Sequence, residues 1–123
     1  MVGYTTFGTN DLPRAIAFFD RLLGEFGAKQ IMNLERLVLW GREFGNGMFA
    51  ICTPYDGRPA TAGNGAMVAF RLDSREQVDR MHALALELGG SDEGAPGDRG
   101  NGFYGAYFRD LDGNKFCAFH LGG

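Results

Sequence analysis

The stretch YTTFGTNDLPRAIAFFDRLLGEFG, residues 4–27, decides the fold because it returns 63 residues later as MVAFRLDSREQVDRMHALALELGG, residues 67–90. The two copies align without a gap. In each copy a short strand-like run leads into apolar residues spaced at i, i+3, i+4, i+7 and i+8, the pattern of a helix with one apolar face. The repeat predicts two copies of one structural unit.

Signals for the ends of both helices support this interpretation. Asn10 or Asp11 is expected to cap the first helix, and residues 74–77, SREQ, fit a capping box at the start of the second. Gly27 and Gly90 occupy equivalent positions in the two copies, where each is expected to end its helix as a C-cap.

Short strand-like runs follow each helix and are separated by glycine and Asx turns. In the first half they are residues 29–34, 36–42 and 47–53, and in the second half residues 91–93, 102–109 and 114–121. Each half therefore predicts a βαβββ module. The expected fold is α+β, with two such modules forming a curved mixed sheet around a concave cleft.

Composition limits the class of protein. The chain has 123 residues, of which 45% are hydrophobic and 22% charged, as in a globular domain, and its 20 glycines suit many tight turns. A net charge of −3 and the lack of a basic run argue against nucleic acid and membrane surfaces as partners. No apolar run approaches the roughly 18 residues of a membrane span. Cys52 and Cys117 are expected to be reduced thiols in a cytoplasmic protein.

Three segments resemble a known family: TFGTNDL at residues 6–12, FFDRLLG at residues 18–24 and FRDLDGN at residues 108–114. The last is similar to an F-x-D-P-D-G-N signature, with Leu111 in place of the usual proline. Together with the paired βαβββ modules, they resemble the vicinal oxygen chelate superfamily, which includes glyoxalase I, bleomycin resistance proteins, fosfomycin resistance enzymes and extradiol dioxygenases. The resemblance covers the whole chain.

The resemblance implies one domain over residues 1–123. It consists of module 1, residues 1–56, a linker, residues 57–63, and module 2, residues 64–123.

Catalytic members of the superfamily hold a divalent metal through His, Glu or Gln on the first and last strands of each module. The matching positions here are Tyr4, Met67, Cys117 and a residue within 50–52. Hard divalent ions prefer carboxylate or imidazole ligands, which these positions do not supply. The sequence therefore predicts no metal and no cofactor, and a divalent metal is expected only if the protein is a metal-dependent enzyme.

The run DLDGN at residues 110–114 has two interpretations. A calcium loop needs a Glu at its twelfth position, which is Leu121 here. A hairpin turn with Asx hydrogen bonds and a positive φ at Gly113 explains the run better.

A ligand cavity on the concave face is predicted from strand alternation and from the positions implied by the resemblance. Trp40 and Arg42 share one side of their strand, and for residues 48–52 the inward-facing set is left open. Such a cavity suits planar aromatic ligands. In the alternative interpretation, Trp40 and Tyr107 only fill space between the sheets. The cavity candidates are Tyr4, Thr6, Trp40, Arg42, Met67, Ala69, Tyr107 and Cys117.

Four further features have both a functional and a structural interpretation. His82, inside the apolar stripe of its helix, is expected to be a core-edge residue with one hydrogen bond rather than a base. His120 is expected on the face opposite Cys117, at a sheet edge or a dimer contact. Cys117 is expected to be an inert thiol rather than a nucleophile. Residues 94–102 are rich in glycine and are interpreted as a mobile lid.

The leading functional interpretation is a metal-free homodimer that binds a small aromatic molecule, in the manner implied by the resemblance to bleomycin resistance proteins. The alternative is a divergent metal-dependent lyase or dioxygenase of the same superfamily. A third interpretation is a protein-interaction module without a ligand.

Overall fold

A computed structural model of the chain describes residues 1–122. The chain divides into two compact units, Met1–Ala62 and a second unit that begins at Gly63. Each unit has the order β-α-β-β-β and contains one helix and one four-stranded mixed sheet. The predicted α+β class with two βαβββ modules is confirmed, and the shared concave cleft stays a prediction.

The first unit contains β1 (Tyr4–Gly8), α1 (Leu12–Gly24), β2 (Lys29–Asn33), β3 (Leu37–Gly41) and β4 (Met48–Cys52). Its sheet has the order β1-β4-β3-β2. Strand β1 runs parallel to β4, and the other neighbours are antiparallel.

The second unit repeats this topology. It contains β5 (Val68–Arg71), α2 (Arg75–Glu87), β6 (Ser91–Asp98), β7 (Phe103–Arg109) and β8 (Lys115–Leu121), with the sheet order β5-β8-β7-β6. Strand β5 runs parallel to β8. Neither helix within residues 1–122 combines the length and apolar character needed to cross a bilayer.

Both helices begin with the side-chain caps that the sequence predicts. Asp11 caps α1 by accepting a hydrogen bond from the backbone N–H of Arg14. Ser74 caps α2 by accepting from the N–H of Gln77, and the Gln77 side chain accepts from the N–H of Asp73. The reciprocal bond of the box therefore reaches one residue further back than a capping box usually does.

The ends of the helices correct one of the two predicted glycine caps. Gly27 has a φ of +86°, and the next N–H, of Ala28, returns to the carbonyl of Leu23. After α2 the left-handed residue is Gly89, with a φ of +102°, rather than Gly90. Gly90 is needed for another reason, because a Cβ there would lie 2.6 Å from the carbonyl oxygen of Arg109.

One face of each sheet is covered by its helix. In the first unit, Phe19 of α1 packs on Trp40 and Phe49 of the sheet, with ring centroids 5.7 and 5.0 Å away. In the second unit, α2 packs against β6, β7 and β8. Burial of these large aromatic and aliphatic side chains is the main stabilising contribution to each unit.

The turn between β7 and β8 is the hairpin turn predicted for residues 110–114. The buried Asp110 carboxylate accepts hydrogen bonds from the backbone N–H groups of Asp112 and Asn114 and from the Asn114 side chain. Gly113 has a φ of +84°. Burial raises the pKa of Asp110, and the hydrogen bonds from Asn114 and Asp112 oppose this increase. The Asp110 carboxylate therefore stabilises the turn through hydrogen bonds to residues of the turn itself.

The predicted lid is mostly strand, which corrects the interpretation of residues 94–102. Strand β6 continues to Asp98, pairs antiparallel with β7, and has two register shifts between Asp92 and Gly97. Pro96 lies within it, as an edge strand permits. Glycine and proline conceal the strand because the sequence lacks the usual alternation there.

Candidate functional site

A row of small residues beside one tyrosine crosses the second sheet, on the face opposite α2. Ala69 pairs with Cys117, Cys117 pairs with Tyr107, and Tyr107 pairs with Gly94. Residues paired directly across neighbouring strands project from the same face of a sheet. Tyr107 is therefore flanked along this row by side chains no larger than a thiol.

Two cations surround the Tyr107 ring. The Arg99 guanidinium lies 5.6 Å and the Lys115 ammonium 5.5 Å from the ring centroid, both within cation–π range. The Arg99 side chain also donates a hydrogen bond to the carbonyl of Ala95. We call the group formed by Ala69, Arg99, Tyr107, Lys115 and Cys117 the tyrosine face.

Burial controls the protonation of the two acidic groups on the tyrosine face. It raises the pKa of the Cys117 thiol, and the Tyr107 hydrogen bond and the charges of Arg99 and Lys115 only partly oppose this. Burial also raises the pKa of the Tyr107 phenol. Both groups are therefore protonated near neutral pH, and the face carries the positive charge of its cations.

The first unit places Tyr4 and Thr6 on the sheet face opposite α1. They pair with Met48 and Ala50 of β4, and Ala50 pairs with Leu39 of β3. Met48, Ala50 and Leu39 form a buried cluster, whereas Tyr4 and Thr6 are exposed. This placement resolves which residues of β4 face away from the helix.

Trp40 and Arg42 correct the predicted cavity lining. Trp40 is only 1% exposed, contacts Phe19, and donates its indole N–H to the Asp20 carboxylate at 2.9 Å. The Arg42 side chain donates to the carbonyl of Phe26, just beyond α1. Both therefore lie on the helix-covered side of the first sheet, and Trp40 is a core residue between sheet and helix.

Met67 lies immediately before β5, and its side chain is 45% exposed. Of the predicted cavity residues, the second sheet brings Ala69, Tyr107 and Cys117 together on one face, and their role as a ligand cavity stays a prediction. Sequence reasoning missed Arg99 and Lys115. Lys115 precedes Cys117 by two residues, and strand alternation was therefore a signal for it. Arg99 follows β6, whose extent the sequence concealed.

The donor atoms at the family's metal positions do not fit a hard divalent ion. Tyr4 offers a phenol, Met67 a thioether, and Cys117 a buried and protonated thiol. Within residues 1–122, no three His, Cys, Asp or Glu side chains are grouped so that they could hold a metal. The residues present therefore do not fit the divalent metal that the resemblance implies.

Both histidines have structural partners. His82 is buried, and its Nε2 lies 2.9 Å from the Asp92 carboxylate, which agrees with a core-edge residue. The hydrogen bond from His82 holds the pKa of Asp92 below its ordinary value. His120 lies near the end of β8, which has a neighbouring strand on each side, so the expected sheet edge is wrong; its Nδ1 lies 3.0 Å from the carbonyl oxygen of Leu72.

A cavity that the sequence did not indicate lies in the first unit, where β1 and β4 end. Its volume is about 320 Å³. The loop that walls it is held by Asn10, which bonds both the N–H and the carbonyl of Ala60. The lining residues are Gly8, Cys52, Pro54, Asp56, Pro59, Ala60 and Thr61.

The rates of alkylation of Cys52 and Cys117 test whether Cys117 is an inert thiol. In a Cys52→Ser variant, Cys117 should react with iodoacetamide near neutral pH at least about tenfold more slowly than Cys52 does in a Cys117→Ser variant. Cys117 is 1% exposed and has a raised pKa, whereas Cys52 is half-buried. The rate at Cys117 should rise with pH through that raised pKa.

Mass spectrometry of quenched samples gives both rates. Unfolding in guanidinium is the control, since it should bring the two thiols to similar reactivity. Faster alkylation of Cys117 than of Cys52 in the folded protein would show an activated nucleophile instead.

Comparison with known proteins shows the family to which the chain belongs. Residues 2–118 match the family model described as the Glyoxalase/Bleomycin resistance protein/Dioxygenase superfamily. The chain belongs to this superfamily, as its resemblance to the vicinal oxygen chelate proteins predicted. None of the curated proteins compared matches the chain.

Solved structures agree on the fold. A glyoxalase/bleomycin resistance protein from Albidiferax ferrireducens T118 is 39% identical, with 98% of each chain covered and a TM-score of 0.89. A glyoxalase/bleomycin resistance protein/dioxygenase family enzyme from Burkholderia phytofirmans PsJN is 19% identical, with 98% of each chain covered and a TM-score of 0.78. Lactoylglutathione lyase from Agrobacterium tumefaciens is 22% identical, with 98% of this chain and 92% of that chain covered and a TM-score of 0.70. The last two show the fold alone.

Proposed function

We propose that the protein is a cytoplasmic small-molecule binding protein that takes a planar aromatic ligand on the tyrosine face without a metal or other cofactor. The observation that carries this proposal is the Tyr107 ring, with Arg99 and Lys115 within 6 Å of its centroid and small residues beside it. An aromatic ring with neighbouring cations is a surface on which flat molecules stack.

Space for the ligand comes from the small residues along the row. Ala69 is exposed, whereas Cys117 is 1% exposed and therefore already covered, so the open part of the row is at Ala69. Gly94 contributes no side chain, and a Cβ there would already lie 3.0 Å from the Tyr107 ring. A flat ligand would therefore approach the tyrosine ring from the side of Ala69, beside the two cations that lie over the ring.

The donor chemistry favours binding over metal-dependent catalysis. The positions that hold the metal in catalytic relatives carry Tyr4, Met67 and Cys117, and none of these offers a carboxylate or an imidazole.

We further propose that the protein is a homodimer. The exposed apolar side chains of Val2, Tyr4 and Phe44 support this proposal, because a second copy of the chain could cover them. Light scattering at micromolar concentration measures the oligomeric state.

Titration with 2-naphthalenemethanol, a neutral planar probe, tests the proposed function. Isothermal calorimetry of the wild-type protein should give saturable binding, and Tyr107→Ala should weaken it at least about twofold, since a stacked aromatic pair contributes about 0.5–1.5 kcal/mol beyond its buried area. Tyr55→Ala is the matched control, because Tyr55 is 91% exposed in the first unit and should leave the affinity unchanged.

Equal affinity in the Tyr107→Ala and wild-type proteins would contradict binding at the tyrosine face. Elemental analysis of the same preparation decides between binder and metalloenzyme. Stoichiometric nickel, zinc, manganese or iron that survives dialysis would favour the metal-dependent lyase or dioxygenase.

A further inference from the structure

The charges of the second unit point to a narrower ligand class, and this inference rests on the proposed function. We propose that the tyrosine face binds a planar aromatic acid, a ring that carries an anionic substituent, with Arg99 and Lys115 as its charge partners. The ligand is defined by this shared chemistry, a flat ring and a negative group.

The first observation is a segregation of charge. From residue 63 onward the chain has nine acidic and six basic residues, so the second unit is acidic as a whole. Its acidic side chains on the helix side have partners there. Asp92 bonds His82, and the Asp98 carboxylate lies 3.4 Å from the guanidinium of Arg75 on α2.

The opposite face is basic in spite of this surplus of acid. Lys115 and Arg109 pair across β7 and β8, and Lys115 lies over the Tyr107 ring. The acid near this group is Glu93, whose carboxylate is hydrogen bonded and ion-paired to Arg109. Arg109 and Glu93 are thus paired with each other, and the two cations beside the tyrosine, Arg99 and Lys115, leave the face positive.

The second observation is the position of the cations around the ring. Both charged groups lie over the Tyr107 ring, 5.5–5.6 Å from its centroid, which places two positive charges where an aromatic ligand would approach the tyrosine. A charged substituent on such a ligand is therefore close to Arg99 and Lys115. A negative substituent gains a charge-assisted hydrogen bond there, whereas a positive one is repelled.

Three probes of one shape test this ligand class: 2-naphthoate, the neutral 2-naphthalenemethanol and the cationic 2-naphthylmethylammonium. The wild-type protein should bind the acid at least about tenfold more tightly than the alcohol, and the ammonium should bind more weakly than the alcohol. The preference for the acid should shrink as salt is raised, because exposed charges are screened.

Variants that each remove one positive charge show which cations cause the preference for the acid. Arg99→Gln and Lys115→Gln should each bring the affinity for 2-naphthoate down toward that for the alcohol. Lys29→Gln is the matched control, since it removes one exposed cation from β2 of the first unit and should keep the full preference. Circular dichroism checks that each variant is folded, and the salt dependence of the wild-type preference needs no variant.

The outcomes separate the two proposals. Equal wild-type affinities for the acid and the alcohol would overturn the acid preference and leave the aromatic site supported. A preference that Lys29→Gln reduces as much as Lys115→Gln would also overturn it, because the effect would then come from overall charge. No saturable binding of any probe at millimolar concentration would overturn both proposals.

Discussion

Gly90→Ala should lower the free energy of unfolding by about 2–4 kcal/mol. The added Cβ would lie 2.6 Å from the carbonyl oxygen of Arg109 and 2.8 Å from that of Ala85. Both are backbone atoms, one at the end of β7 and one in α2, and neither moves without disturbing the packing of helix on sheet. The backbone N–H of Gly90 also bonds the Ala85 carbonyl, which fixes the glycine in place. Urea unfolding followed by far-ultraviolet circular dichroism measures the change.

Gly24→Ala is the matched control for this substitution. Gly24 is the last residue of α1, and a Cβ there meets no atom within 4 Å. Alanine should leave stability unchanged or raise it by up to about 1 kcal/mol, because glycine is a poor helix former. Equal effects of the two substitutions would contradict the close approach at Gly90.

Trp40→Ala should cost about 3–5 kcal/mol of unfolding free energy, the range for truncating a buried aromatic side chain. Trp40 packs between β3 and α1, and its indole N–H bonds the Asp20 carboxylate. The substitution leaves a large cavity and removes this bond. The same urea experiment gives the value.

Tyr55→Ala is the control here as well, since that ring is 91% exposed and its loss should change stability by no more than about 0.5 kcal/mol. The milder Trp40→Phe should leave the affinity for naphthalene probes unchanged. A small loss of stability in Trp40→Ala together with weaker probe binding in Trp40→Phe would contradict the core position of Trp40 and show that it contacts the ligand.

Most of the fold could be predicted from the internal repeat. Residues 4–27 and 67–90 predicted two βαβββ modules because helix spacing and caps occur at the same places in both copies. Cys117 was placed on the inner face by the metal position that the resemblance implies, and its pairing with Tyr107 agrees with that placement. Where the resemblance gives no fixed position, the inward face of a strand has to be predicted from its own alternation of polar and apolar residues.

Strand β3 shows where this reasoning fails. Its sequence, LVLWG, is apolar on both faces, so alternation gives no phase and Trp40 was assigned to the wrong side. The structure shows why both faces are apolar. Val38 and Trp40 lie on the helix side, and Leu39 joins the buried cluster on the other.

The candidate site was predictable only in part for a related reason. Ala69 and Cys117 were placed from the metal positions that the resemblance implies, and Tyr107 from the alternation of its strand. The position of Arg99 depends on β6, where glycine, proline and two register shifts break the alternation. A cation that follows such a strand cannot be placed by counting residues, although it defines the charge of the face.

The enclosed indole of Trp40 gives the protein a built-in optical reporter. Trp40 is the only tryptophan in the chain, so its emission follows the first unit alone, whereas far-ultraviolet circular dichroism averages both helices. Gly90 lies in the second unit. If Gly90→Ala shifts the Trp40 emission transition together with the dichroism transition, the two halves unfold as one cooperative body; if the emission transition stays in place, each half unfolds independently.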